Sequence, residues 1–148
     1  KKKKKQLTLQ LYSSEHMLGI INDILDFSKI DAGKLELKKQ SFNLKECLDN
    51  TVQSFYVQFK NKEIEFIFSP DDQLKDINII SDEVKLSQII NNLLSNALKF
   101  TKEGSITLNV KIKNVDDFTS IVLFEVKDTG IGIKKEKQSE IQNFFFRK

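Results

Sequence analysis

Two consecutive stretches of apolar–polar alternation, Ser105 to Lys113 and Thr119 to Lys127, most restrict what this chain can become. Side chains along a strand point alternately to opposite faces, so a sustained period of two marks a strand with one covered side. In the first stretch Ile106, Leu108, Val110 and Ile112 share a face; in the second, Val122, Phe124 and Val126 lie opposite Ile121, Leu123, Glu125 and Lys127. Joined through Asn114 to Phe118, the two predict an antiparallel hairpin that other apolar residues must cover.

The cover is legible upstream. From Glu83 to about Phe100, Leu86, Ile89, Ile90, Leu93, Leu94, Ala97 and Leu98 recur at helical spacing, and Ser81 or Asp82 can cap the helix. A second amphipathic helix, roughly Lys45 to Lys60, carries Leu48, Val52, Phe55 and Phe59 on one side. Ile64 to Phe68 and Ile77 to Ile80 read as short strands around a turn at Pro70-Asp71-Asp72. Leu35, Leu37 and Phe42-Asn43-Leu44 read as extended segments. This order predicts an α+β fold, with helices on one face of a mixed, mainly antiparallel sheet. Nothing after the hairpin returns to close that sheet, so an exposed edge is expected.

Residues 7 to 32 form a separate pattern. Leu11, Leu18 and Leu25 recur every seven residues, and Met17, Ile20, Ile21, Ile24 and Phe27 widen the stripe. A face this broad suits a helix in a bundle rather than one narrow coiled-coil seam. Gly33 is placed to end it. The chain thus divides into a basic tail, 1–6, a long helix, 7–33, and a mixed α/β domain, 34–148.

Composition narrows the partners. Hydrophobic residues make up 39% and charged residues 30% of the 148, too apolar for a disordered chain. The formal charge is +3, but five of the 24 basic residues are Lys1 to Lys5, and without them the balance is −2. The remainder is no basic nucleic-acid binder, and the lysine run reads as a solvated tail. Cys47 is the sole cysteine, so neither an internal disulfide nor a cysteine zinc cluster can form. No apolar run approaches the roughly 20 residues of a membrane span, and the lysine start lacks the apolar core of a signal peptide. The lone cysteine fits a reducing compartment, so a cytoplasmic location is expected, with any membrane span outside this stretch of sequence.

Two groups of residues could carry chemistry. Gln88, Asn92, Asn96 and Lys99 fall on one side of the helix from Glu83, stacking three amides and an ammonium. Amide oxygens are hard, neutral ligands suited to Mg²⁺ that is completed by water and phosphate, and a lysine can neutralise phosphate. A polar solvent face explains the same spacing. The second group is Asp128-Thr129-Gly130-Ile131-Gly132, where glycines let backbone approach a flat ligand while the carboxylate accepts from an exocyclic amine. It is neither a Walker-type loop nor a dinucleotide fingerprint, and a plain turn explains it as well.

Taken together these residues resemble a known family. Asp82-Glu83-x-x-Leu86-x-Gln88-Ile89-Ile90-Asn91-Asn92-Leu93-Leu94-Ser95-Asn96-Ala97-Leu98-Lys99-Phe100-Thr101 is similar to the N box of sensor histidine kinases, and Asp128-Thr129-Gly130-Ile131-Gly132-Ile133 to their G1 box. Ile21-Asn22-Asp23-Ile24-Leu25-Asp26-Phe27-Ser28-Lys29-Ile30-Asp31-Ala32-Gly33-Lys34-Leu35-Glu36-Leu37 resembles the second dimerisation helix and its exit in hybrid kinases. The resemblance runs from about Ser13 to Ile133.

It implies a Bergerat-type ATP-binding fold. Asn96 would hold Mg²⁺ bridging the ATP phosphates, Asn92 would support the same face, and Lys99 would meet phosphate. Asp128 would accept from the adenine amine, with Gly130 and Gly132 shaping the wall beside the base. The intact enzyme would be a homodimer through residues 7–33. It would pass phosphoryl from ATP to a histidine, and thence to the aspartate of a response-regulator receiver domain.

The only histidine, His16, is not that acceptor: Met17-Leu18-Gly19 follows it, whereas the family's acceptor sits in a His-Glu-x-x-Arg/Asn-Pro setting. No second glycine box follows Ile133 either, so the sequence reads as an ATP-binding domain cut short near residue 138. A non-catalytic module pairing through residues 7–32 is the alternative. A gyrase-type ATPase would place a glutamate where Asn92 stands, which argues against ATP hydrolysis.

Overall fold

The computed structural model describes residues 17, 19, 21–22, 24–114 and 119–145. His16 and the stretch 7–16 of the expected helix lie outside the described residues, as does Phe146 of the terminal phenylalanine run. The chain divides into two compact units, Lys1–Leu37 and Lys38–Lys148.

In the first unit, helix α1 is helical at residues 17, 19, 21–22 and 24–31. Its end follows the expectation for Gly33, which has φ +63°. The Gly33 N–H reaches Ile30 O at 2.9 Å and the Lys34 N–H reaches Lys29 O at 2.7 Å, the paired bonds of a Schellman end. Met17, Ile21, Ile24, Leu25, Phe27 and Ile30 are exposed in the single chain.

The second unit begins with strand β1 (Gln40–Asn43), followed at once by helix α2 (Leu44–Asn61). Leu44 was expected to be extended. It is the first residue of α2, because the Asn43 side chain accepts the Glu46 N–H at 2.9 Å and starts the helix there. Leu48, Val52, Phe55 and Phe59 are buried as their spacing requires. Strand β2 (Glu65–Pro70), a 3-10 turn (Asp72–Asp76) and strand β3 (Asn78–Ser81) lead to helix α3 (Glu83–Phe100). Strands β4 (Ser105–Asn114) and β5 (Ser120–Asp128) form the expected hairpin. Helix α4 (Lys135–Phe145) follows the glycine loop, in a charged stretch for which no element was expected.

The strands pair in two groups. β1 and β3 form an antiparallel ribbon, and β2, β4 and β5 form a sheet in that order. β2 runs parallel to β4, with Phe66 beside Ile106 and Phe68 beside Leu108. β4 and β5 are antiparallel, with Leu108 opposite Val126 and Val110 opposite Phe124. These residues share one face, and with α2 and α3 they enclose the core around Leu48, Phe59, Leu94, Ile106, Leu108 and Val110. Phe59 stacks on Phe66 with ring centroids 4.4 Å apart, joining α2 to β2. Cys47 belongs to the core as well; burial pushes its thiol above the usual range, so it packs as a small apolar residue.

Asp82 is the N-cap of α3. Its Oδ1 accepts the Lys85 N–H at 3.0 Å and its Oδ2 accepts the Lys38 N–H at 2.9 Å. These two bonds, with that to Lys85 foremost, hold its carboxyl below the usual carboxylate range. One side chain therefore ties the entry of the second unit to the start of α3.

Candidate functional site

Along α3 the apolar stripe is wider than the core can use. Ile90, Leu94, Ala97 and Leu98 are buried, but Ile89 is 56% and Leu93 41% exposed, against the expectation that both were core. The sheet supports only the phase centred on Leu94, leaving the flank of the helix open. Leu93, Asn96, Ala97 and Phe100 on that flank form one wall of a cavity of about 460 Å³.

The opposite wall comes from β5 and the loop after it: Val126, Asp128, Ile131, Gly132 and Ile133. Asp128 is the last residue of β5 and pairs with Ile106, two positions beyond Val126 and therefore on the same, helix-facing side. Its Oδ1 accepts the Gly130 N–H at 2.8 Å, an Asx turn that swings the chain away from the sheet. The Ile131 N–H then donates to Phe100 O at 3.3 Å, closing the loop against the end of α3.

Each glycine of this loop has its own reason. A Cβ on Gly130 would lie 2.5 Å from Phe100 O, so only hydrogen permits the approach. Gly132 has open space around it but a φ of +66°, which side chains rarely adopt. At the C-terminal end of α3 the carbonyls are occupied. Lys62 Nζ donates to Leu98 O at 2.7 Å, and the Thr101 N–H reaches Ala97 O at 3.0 Å.

Of the residues singled out from sequence, Asn96, Asp128 and Gly132 line one cavity although 32 positions separate Asn96 from Asp128. Gly130 lies behind the wall, packed on Phe100 O. Asn92 is exposed and outside the lining. Lys99 does not line the cavity either; its Nζ sits 5.2 Å from the centroid of the Phe100 ring, which does. The apolar walls carry no motif of their own. Their signal was present in Ile131 and Ile133, which flank the glycine and had no strand or helix to bury them. Such a site, apolar with a few convergent polar groups, suits a flat aromatic ligand carrying one exocyclic donor.

Residues 81–148 match the family of histidine kinase-, DNA gyrase B-, and HSP90-like ATPases. The chain is 37% identical over 141 residues to the autoinducer 2 sensor kinase/phosphatase LuxQ of Vibrio parahaemolyticus, covering 93% of this chain and 16% of that protein. It is 37% identical over 129 residues to hybrid signal transduction histidine kinase B of Dictyostelium discoideum, covering 87% and 6%. The chain therefore spans at most about a sixth of the length of these curated relatives. Among solved structures, full-length ShkA in complex with AMPPNP aligns with a TM-score of 0.69 at 27% identity, over 92% of this chain and 28% of ShkA. Histidine kinase ThkA, in complex with the response regulator protein TrrA, aligns with a TM-score of 0.62 at 26% identity, over 90% and 38%. On these likenesses the chain carries a domain of this ATPase family in its sensor histidine kinase form, the kind found in hybrid sensor kinases.

Proposed function

We propose that the cavity between α3 and the loop after β5 holds the adenine end of ATP, and that the chain is the nucleotide-binding part of a protein-histidine kinase. One observation carries this reading: among the described residues, a single carboxylate and a single amide reach a cavity otherwise walled by apolar residues and glycine. Asp128 Oδ1 is committed to Gly130. That leaves Oδ2 to accept from the adenine amine, while Leu93, Ala97, Phe100 and Ile131 exclude water from the faces of the base. Gly130 and Gly132 keep the wall thin enough for the base to enter beside the backbone.

Asn96 stands further along the same wall and offers a neutral amide oxygen. A Mg²⁺ held there needs phosphate and water for its remaining ligands, which suits a cation that arrives with the nucleotide. Bound Mg²⁺ would neutralise charge on the transferring phosphoryl group. Lys99 serves phosphate by leaving the Phe100 ring, and Asn92, one turn before Asn96, extends the polar side of α3. Because Asn92 is an amide and not a carboxylate, that position does not activate water. In the whole protein the phosphoryl group would pass to a histidine outside residues 1–148 and then to a receiver aspartate; the ThkA–TrrA pairing supports the second partner. The exposed apolar stripe of α1 favours a further role for this unit, homodimerisation through residues 7–33.

A thermal-shift titration with ATP and Mg²⁺ tests the reading. The expected result is a stabilisation that grows with ligand, about 2.7 kcal/mol at a hundredfold excess over Kd, and that is lost in Asp128→Ala. No shift in the parent chain would remove the nucleotide assignment and leave the dimerising role. With labelled ATP, no acid-labile phosphate is expected on His16.

A further inference from the structure

The nucleotide reading depends on where Asp128 points, and a neighbour that touches no ligand decides that. The ladder between β4 and β5 ends at the pair Ile106–Asp128. One step on, the Thr129 N–H still donates to Ser105 O at 3.1 Å, as a continued ladder requires. The Ser105 N–H, however, donates to Thr129 Oγ1 at 3.0 Å, so a side-chain hydroxyl takes the place of a backbone carbonyl. The hydroxyl's own proton has Glu103 O and Ser105 O within reach, each at 3.3 Å. The main chain is thereby released from the sheet directly after Asp128, while the strand end stays fixed.

The turn that receives Thr129 is anchored in its own right. The Glu65 N–H donates to Gly104 O at 3.0 Å, which registers the turn to β2. Gly104 has φ +104°, and a Cβ there would lie 2.2 Å from Thr129 Oγ1. Gly104 is thus shaped around the hydroxyl, just as Gly130 is shaped around Phe100 O.

Resting on the nucleotide reading above, we propose that Thr129 is a positioning residue for that site: its hydroxyl, latched to the Gly104–Ser105 turn, fixes the Asp128 carboxylate and sets the preference for a base with an exocyclic amine. The rigid carboxylate favours adenine over a base with a carbonyl at the same position, and a loosened one discriminates less. Thr129→Val keeps the size and removes the hydrogen bonds, Thr129→Ser keeps the hydroxyl, and Gly104→Ala crowds the hydroxyl without deleting it.

Two measurements on the full chain decide this. The first is amide hydrogen exchange by NMR without nucleotide. Exchange at Gly130 and Ile131 should rise about tenfold in Thr129→Val and Gly104→Ala, the worth of one hydrogen bond, with β1 and β3 unchanged and Thr129→Ser near the parent. The second is the affinity for ADP and for inosine diphosphate, which carries a carbonyl in place of the amine. ADP affinity should fall about tenfold in Thr129→Val while inosine diphosphate moves little, and Thr129→Ser should restore the ratio. Unchanged exchange at Gly130 and Ile131, equal losses for both nucleotides, or a serine variant that behaves like valine would each overturn the proposal. Absence of ADP binding by the parent would overturn the nucleotide reading and the preference with it, and the exchange measurement would still judge the latch alone.

Discussion

Helices α2 and α3 are both 18 residues long, both begin on a side-chain cap, and both pack on the same sheet. They differ in what they bury. α2 sinks Leu44, Leu48, Val52, Phe55 and Phe59 and leaves its other side to solvent. α3 buries Ile90, Leu94, Ala97 and Leu98, and it holds Leu93 and Phe100 out of the core as a cavity wall. What α2 leaves exposed, Tyr56 and Val57, is no part of the cavity, whereas a helix that lines a site turns apolar surface toward it. By that standard stability should reside mainly in α2 and ligand recognition in α3.

The largest test is Phe59→Ala. Phe59 is 1% exposed and stacks against both Phe55 and Phe66, so its truncation should cost about 3–5 kcal/mol in urea unfolding. A loss below about 1 kcal/mol would break the assignment of α2 as scaffold. The reciprocal test is Asn96→Ala on the exposed side of α3. Stability should stay within about 0.5 kcal/mol, while Mg²⁺-dependent ATP affinity measured by calorimetry drops about tenfold, as for one lost charge-assisted contact. An equal drop without Mg²⁺ would detach Asn96 from the cation.

Asp82 belongs to the scaffold side of α3, because it caps that helix and also holds Lys38. Asp82→Ala should lower Tm by a few degrees. The folded carboxyl titrates below the usual carboxylate range, so its contribution is complete above the ordinary carboxylate pKa and disappears as pH falls through the lower folded value. The Tm gap between parent and variant should hold from neutrality to about pH 5 and close in stronger acid. A gap that widened in acid would show the sign to be wrong.

The smallest effect concerns helix ends. α1 and α2 finish in the same pair of bonds, for α2 Ile64 N–H to Phe59 O at 3.1 Å and Glu63 N–H to Lys60 O at 3.2 Å. α1 has Gly33 at the left-handed position, but α2 has Glu63 with φ +58°. Glu63→Gly should stabilise the second unit by up to about 1 kcal/mol in the same urea assay.

Much of this was written locally. The alternation of Ile106, Leu108 and Val110 fixed β4 and its covered face, and Asp82 and Gly33 marked helix ends through bonds to near neighbours. The N-box and G1-box residues were legible as a pair of motifs. Leu44 was misplaced because the Asn43 cap outweighed a short apolar alternation, and Ile89 and Leu93 because a periodic stripe shows which side is apolar but not how wide the core beneath it is. Thr129 carried no signal of its own, since a threonine at a strand end is ordinary until a glycine turn is found around its hydroxyl.

By itself, then, the sequence determined most of the elements, the cap of α3, the glycine end of α1 and the residue types of the candidate site, because periodicity, capping and glycine conformation depend on neighbours within a few positions. Only the tertiary structure decided that β2 pairs in parallel with β4 and not with adjacent β3, that Asn96 and Asp128 face one cavity, and that Lys99 rests on Phe100 outside it. The last two follow from the phase at which α3 settles on the sheet. That phase is fixed by the packing of Leu94 and Leu98 in the same core as Ile106 and Leu108, contacts between distant positions that no local pattern encodes.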